Sequence, residues 1–142
     1  MNVIEVYRLK TEARVKLPLI LARTQAGFPS PADDYIEERI DLNKKLILHP
    51  EATYLVRVMG DSMIKDRIHE GDYLIVDRAL EAGHNDIILA VLNREFTVKR
   101  LEKTTHRWYL VAGNDKYPPI EINPEMDFEI WGKVTYIFHP AV

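Results

Sequence analysis

The sequence predicts a mainly β protein, with a curved or barrel-like sheet, short helices and an extended N-terminal arm. Short apolar runs recur along the chain with turn-forming clusters between them, a pattern typical of all-β bodies. Residues 87–92 and 96–101 lie three residues apart, which is hairpin spacing. The chain has 142 residues, 46% of them hydrophobic, which suits one globular domain with a core.

The N-terminal part is predicted to be an arm comprising residues 1–34, followed by a compact body comprising residues 35–142. The boundary lies in residues 26–34, where two prolines, a glycine and two acidic residues indicate an exposed, extended connector. The apolar residues before it partly alternate, which predicts strand-like segments lying on a surface.

The body is predicted to start with helical turns and to continue as strands. Tyr35, Ile36, Ile40 and the segment 42–48 favour a short helix or helical turns, which His49 and Pro50 would end. Strands are predicted at 53–58, 73–76, 87–92, 96–101, 108–111 and 128–138. Turns are predicted between them, at 69–72, 83–86, 113–115 and 118–119.

Composition excludes several classes of protein. The net charge of −3 argues against direct, sequence-specific DNA binding, which usually needs a basic surplus. The absence of cysteine rules out disulfides and a thiol nucleophile, and it favours a cytoplasmic location. The apolar runs fall short of the roughly 18 residues that span a bilayer, and charges interrupt the N-terminus, so no membrane association is expected.

No cofactor or metal site is predicted. The five histidines are scattered and have no ligand-like spacing; they are His49, His69, His84, His106 and His139. Neither a dinucleotide-binding nor a phosphate-binding glycine motif occurs, and there is no GxSxG elbow. A Ser–His–Asp triad is not excluded by spacing, although nothing pairs a serine with a histidine.

Ser62 is the candidate nucleophile of the chain. The only other serine, Ser30, lies in the proline-rich connector, where a turn role is simpler. An apolar strand runs into Gly60, and Ser62 follows at what resembles the start of a helical turn. Glycine permits close approach of a substrate, and N–H groups at a turn start can face an oxyanion. The alternative is that Asp61 or Ser62 caps a helix.

Lys99 is the candidate base. Strand alternation puts Thr97, Lys99 and Leu101 on one face, where a lysine can lose its hydration. A lysine base needs its pKa lowered from about 10.4 to about 7–8 to work near neutral pH. The alternative is an ordinary edge or surface lysine.

An ordered set of segments resembles the LexA/UmuD family of self-cleaving Ser–Lys peptidases, and within it the UmuD-type mutagenesis proteins. These segments are GFPSPA at 27–32, IDLN at 40–43, GDSMI at 60–64, GDYLIVD at 71–77 and EFTVKRL at 95–101. The weaker segments at 114–120 and 131–134 also fit, so the resemblance extends from about residue 20 to the C-terminus.

The resemblance implies a specific activity. Ser62 would be the nucleophile, Lys99 the neutral general base, and the chain's own Ala26–Gly27 bond the substrate. Backbone N–H groups near Asp61 and Ser62 are the candidates for the oxyanion hole. RecA filaments on single-stranded DNA would stimulate cleavage in the SOS response, and the shortened homodimer would join a UmuC-type Y-family polymerase in translesion synthesis. No cofactor is implied.

Two departures from the family pattern concern turns. Arg94 stands where glycine suits a two-residue hairpin, which predicts a local change of turn without damage to Lys99. Asp66 and Arg67 replace glycines associated with this family, which predicts an altered loop after Ser62.

Three rival interpretations remain. A LexA-like repressor, or its remnant, would need a helix-turn-helix before the cut, whereas residues 1–26 are short and strand-like. A membrane signal peptidase would need a spanning segment. A non-catalytic, polymerase-associated adaptor of the same fold is disfavoured by the joint presence of Ser62, Lys99 and the Ala26–Gly27 bond.

Overall fold

The computed structural model describes residues 1–10, 16–20 and 36–142. Strands and helices take the following bounds: β1 Asn2–Arg8, β2 Lys16–Ile20, β3 Ile36–Asp41, α1 Leu42–Leu46, β4 Thr53–Met59, β5 Tyr73–Asp77, β6 Ile87–Leu92, β7 Glu95–Lys103, β8 Trp108–Val111, β9 Ile120–Glu121 and β10 Phe128–Phe138. Within the described residues, 3₁₀ turns lie at Pro50–Ala52 and Ile64–Asp66. No helix within these ranges is long and apolar enough to cross a membrane.

The main sheet is an antiparallel barrel. Its strands run in the order β1-β4-β5-β10-β6-β7-β8-β9 over the described residues. A further pairing of Asn2 in β1 with Thr97 in β7 closes the sheet on itself. The mainly β, barrel-like fold class predicted from the sequence is therefore confirmed. The six body strands predicted from apolar runs are found, with ends shifted by at most two residues.

The chain divides into two compact units. One unit comprises Met1–Leu9 and Glu51–Val142 and contains the barrel, and the other comprises Lys10–Pro50. The second unit contains the antiparallel pair β2–β3, in which Leu17 lies opposite Ile40, and the helix α1. This division differs from the predicted boundary near residue 34, because the first residues of the chain are a barrel strand rather than part of a separate arm.

Residues 36–41 were expected to be helical, and this prediction is wrong. The i, i+4 pair Ile36 and Ile40 imitates a helical repeat, but pairing with β2 makes the segment a strand. The helix starts only at Leu42. Asp41 provides its N-cap, since its carboxylate accepts a hydrogen bond from the Asn43 N–H at 3.0 Å.

Alternate residues of β6 and β7 contribute to two different apolar clusters. The first draws on strands around the barrel and consists of Met1, Val56, Val58, Met63, Ile68, Leu74, Val76, Leu89 and Val98. The second consists of Ala82, Ile88, Ala90, Leu101 and Leu110. Because Val98 belongs to the first cluster and Leu101 to the second, Lys99 shares the face of the second.

The β6–β7 hairpin retains a tight turn despite the unexpected arginine. Asn93 has φ of 50° and Arg94 has φ of 70°, the left-handed pair of a two-residue hairpin turn. The strands stay in register, with Ile88 opposite Lys99 and Leu92 opposite Glu95. The expected change of turn is not found, and Arg94 instead adopts the left-handed conformation itself.

We expect Arg94→Gly to stabilise the protein. Glycine adopts a left-handed φ without the steric penalty that a side chain adds, so the free energy of unfolding should rise by about 1 kcal/mol. Urea denaturation of the wild type, Arg94→Gly and Arg94→Ala measures it. Arg94→Ala keeps the Cβ and serves as the matched control. A glycine variant no more stable than the alanine variant would refute a strained turn.

Candidate active site

Ser62 and Lys99 meet in the barrel unit. The Lys99 Nζ atom lies 3.2 Å from the Ser62 Oγ atom, within hydrogen-bond distance. The exposed fraction is 4% for Ser62 and 8% for Lys99, so both groups are withdrawn from solvent. The alternative of a surface lysine is therefore wrong for Lys99. The two residues that the sequence singled out separately form one buried polar pair.

The turn after β4 holds Ser62 in place. Gly60 has φ of 102°, which lets the chain leave the strand in a conformation that suits glycine. Met63, the next residue after Ser62, is fully buried in the first apolar cluster. Its Sδ atom accepts a hydrogen bond from the Gly113 N–H at 3.3 Å. The serine is thus fixed between a glycine turn and an anchored side chain.

Gly113 completes this support from the opposite loop. Its carbonyl oxygen accepts a hydrogen bond from the Lys65 N–H at 2.7 Å. A Cβ added to Gly113 would collide with the carboxylate of Asp66 and lie 3.1 Å from the Asp66 backbone nitrogen, so a side chain here would force Asp66 to shift. Asp66 also pairs with Arg100, and Arg67 has φ of 64°. The loop after Ser62 thus contacts β7 through Asp66 and Arg100, and residue 113 through the Lys65 N–H.

Asp61 and Ser62 do not cap a helix. The short 3₁₀ turn begins after Met63, which provides no side-chain cap. The Asp61 carboxylate instead accepts a hydrogen bond from the Tyr117 hydroxyl at 2.7 Å. This bond, together with Lys116, holds the pKa of Asp61 below its usual value, and it raises the pKa of Tyr117. Asn114 donates to the Asp61 carbonyl at 2.9 Å.

The backbone N–H groups predicted for an oxyanion hole are those of Asp61 and Ser62. Both residues lie between the end of β4 at Met59 and the 3₁₀ turn at Ile64–Asp66. N–H groups in such a turn can face a developing oxyanion, so both remain the candidates.

Burial tunes the amine of Lys99. Withdrawal from water disfavours the charged form and lowers the pKa of Lys99 from its ordinary value. A contact with the Met1 α-amine acts in the opposite direction. Burial, and then Lys99 itself, lower the pKa of that α-amine to about 5. The pKa of Lys99 is thus shifted in the direction that a lysine base needs, and the main cause is desolvation.

Two acceptors orient the Lys99 amine. The Thr97 Oγ1 atom lies 3.1 Å from Nζ, and the Val98 carbonyl oxygen lies 3.2 Å from it. A neutral amine has two N–H bonds and one lone pair. When both N–H bonds are used on these acceptors, the lone pair is available to the Ser62 hydroxyl. Thr97 was placed on this face by strand alternation, although its role as an acceptor was not foreseen.

A pocket of about 200 Å³ opens beside the pair. Its lining consists of Met1, Asn2, Met59, Gly60, Asp61, Ser62, Lys99 and Tyr117. Met1 is 6% exposed, and its carbonyl oxygen accepts a hydrogen bond from the Val98 N–H at 3.2 Å. Sequence reasoning did not foresee β1 or Tyr117 at this place. The Ala26–Gly27 bond lies outside the described residues.

The arrangement predicts a pH dependence for any chemistry at Ser62. Only neutral Lys99 can accept the serine proton, and protonation removes that base as the pH falls. Below the Lys99 pKa the rate should rise about tenfold per pH unit, and above it the rate should level off. Rates measured from about pH 6 to about pH 10 test this. A flat profile would contradict a lysine base.

Comparisons with known proteins identify a peptidase family. A family model described as Peptidase S24-like matches residues 18–135. Protein MucA of Salmonella typhimurium is 43% identical over 142 residues, covering 97% of this chain and 97% of MucA. Protein SamA of Salmonella typhimurium is 45% identical over 122 residues, covering 86% and 84%. Protein ImpA of Shigella flexneri is 41% identical over 128 residues, covering 86% and 83%. The matched segment includes Ser62, Lys99 and the Ala26–Gly27 bond.

Proposed function

The chain belongs to the Peptidase S24-like family, and we propose that it is a UmuD-like SOS protein that cleaves its own Ala26–Gly27 bond with Ser62 and Lys99. The observation that carries the proposal is the buried contact of 3.2 Å between Nζ and Oγ. Burial disfavours charge on the amine, and this is the condition under which lysine acts as a general base.

The first half of the reaction forms an ester. The Ser62 hydroxyl gives its proton to neutral Lys99 while Oγ attacks the Ala26 carbonyl carbon. The resulting oxyanion would face the backbone N–H groups near Asp61 and Ser62. As the C–N bond breaks, Lys99 returns the proton to the Gly27 nitrogen, which leaves as a free amine.

The second half releases the enzyme. Water attacks the ester at Ala26, and Lys99 takes its proton. Collapse of this intermediate breaks the bond to Oγ, and Lys99 gives the proton back to Ser62. The products are residues 1–26 with a new carboxylate and residues 27–142 with a new amine. Because the substrate belongs to the same protein, its effective concentration is high.

Regulation of this cleavage completes the proposal. RecA filaments on single-stranded DNA would stimulate it in the cytoplasm after DNA damage. The shortened homodimer would then serve as a subunit of an error-prone translesion polymerase with a UmuC-type protein. Because the Ala26–Gly27 bond is tethered to its own catalyst, cleavage must be held back until DNA damage occurs. The filament would then shift the population of protein molecules toward the conformation in which this bond reaches Ser62.

The test combines the purified protein with RecA, ATP and single-stranded DNA and follows products over time. At neutral pH we expect cleavage that depends on all three components and is absent from Ser62→Ala. The wild type is also mixed with tagged Ser62→Ala protein, which cannot cleave itself. A cut in the tagged chain then indicates cleavage between chains, and an intact tagged chain indicates cleavage within a chain. A chain that stays intact here and at alkaline pH would instead favour the non-catalytic adaptor.

A further inference from the structure

A second cluster of polar side chains lies at the junction of β5 and β10. His69 and Asp72 belong to the turn before β5, and His139 directly follows β10. The antiparallel register pairs Tyr73 with Phe138, so the next residues outward, Asp72 and His139, lie opposite each other. None of the three takes part in the proposed peptidase chemistry.

Asp72 is the buried centre of this cluster. Its side chain is fully withdrawn from solvent, whereas those of His69 and His139 are 51% and 62% exposed. Its Oδ1 atom lies 2.7 Å from Nδ1 of His139. Its Oδ2 atom accepts a hydrogen bond from the His69 N–H at 2.8 Å and lies 3.7 Å from Nδ1 of the His69 ring.

We propose that His69, Asp72 and His139 bind a divalent transition-metal ion of the zinc class. One ligand atom from each residue lies within 4.8 Å of the other two, and the ring centroids of the histidines are 5.0 Å apart. Two imidazoles and a carboxylate form a donor set that suits Zn²⁺, Co²⁺ and Ni²⁺. The metal takes the place of the proton between His139 and Asp72, and water fills the remaining position.

The surroundings favour a preformed site. The Asp72 carbonyl accepts the Val58 N–H at 3.0 Å, and the Asp72 N–H donates to the His69 carbonyl at 3.1 Å. The hydrogen bond from the His69 N–H orients the carboxylate, as supporting groups do around protein metals. The exposed rings provide the entry path. Histidine spacing alone missed the site because strand pairing, rather than a local repeat, unites residues 67 positions apart.

The experiment uses the full chain with Ser62→Ala, so that self-cleavage cannot change the sample. After chelator treatment, Co²⁺ is titrated by visible absorption and Zn²⁺ by calorimetry and thermal unfolding. We expect one Co²⁺ to bind per chain and to give the d–d absorption bands of a four-coordinate site. Zn²⁺ should raise the melting temperature of the protein. His69→Ala and His139→Ala should each weaken binding by about 10-fold or more, and His106→Ala should leave it unchanged.

The outcomes separate a built site from general histidine binding. His106 is an exposed histidine outside the cluster, so it is the matched control. The proposal would be overturned if the full chain showed no saturable metal binding, or if His69→Ala and His139→Ala bound metal as the parent does. It would also be overturned if His106→Ala lost as much metal affinity as those two variants. His139→Gln repeats the test with a smaller disturbance if an alanine variant melts early without metal. Peptidase activity is not a readout, so failure here leaves the proposed cleavage untouched.

Discussion

Replacing Lys99 with methionine is expected to lower the rate of self-cleavage by about 10²–10⁴-fold, because the variant lacks a proton acceptor for the Ser62 hydroxyl. Methionine matches the length and volume of the lysine stem, so the space that the side chain fills is kept. Gel or mass-spectrometric time courses at alkaline pH measure the rate. Lys65→Met, at a lysine whose side chain is 59% exposed, is the matched control and should cleave at the wild-type rate.

The same variant should be more stable than the wild type. Burial lowers the pKa of Lys99 in the folded state, so the charged amine disfavours folding. The wild type gains stability as the pH rises from the folded pKa toward the unfolded pKa. The stability advantage of Lys99→Met is therefore largest below the folded pKa and shrinks at alkaline pH. An inactive, destabilised Lys99→Met variant would contradict a desolvated lysine base.

Met63→Ala is expected to cost about 2–5 kcal/mol of the free energy of unfolding. The Met63 side chain is fully buried beside the nucleophile, and its removal leaves a cavity and ends the contact with the Gly113 N–H. The Ser62 main chain loses its anchor at the same time, so cleavage should also slow. Urea denaturation measures the first effect, and the time course of cleavage measures the second.

The neighbouring residue provides the control for Met63→Ala. Ile64 is 49% exposed, so Ile64→Ala should change stability by only about 0.5 kcal/mol. Comparable losses in the two variants would contradict the role of Met63 as the anchor of the serine turn.

Local patterns predicted most of the body but not its closure. Strand alternation put Thr97 and Lys99 on one face, and the structure places their polar atoms 3.1 Å apart. Alternation cannot identify partners distant in sequence, so the pairing of β1 with β4 and β7 was missed. The helix predicted at residues 36–41 was wrong for the same reason. This segment is a strand because it pairs with β2, and its own apolar spacing does not reveal that partner.

The candidate pair shows the same limit. Neither Ser62 nor Lys99 is distinctive alone, because a serine after glycine and a lysine in a strand are both common. The separation of 37 positions carries no local signal, and the contact arises when the turn after β4 meets β7. The ordered family segments supplied this information, and the fold then placed Nζ beside Oγ. Tyr117 and Asn114, which hydrogen-bond to Asp61, lie in the segment 114–120, whose resemblance to the family is weaker.

The central claim is that Ser62 and Lys99 cut the chain's own Ala26–Gly27 bond. Its most direct test is the intact mass of the products after incubation of the purified protein at alkaline pH. The account predicts two species, residues 1–26 and residues 27–142, which are absent from Ser62→Ala and Lys99→Met. An uncut chain, a cut at another bond, or the same cut in either variant would contradict it.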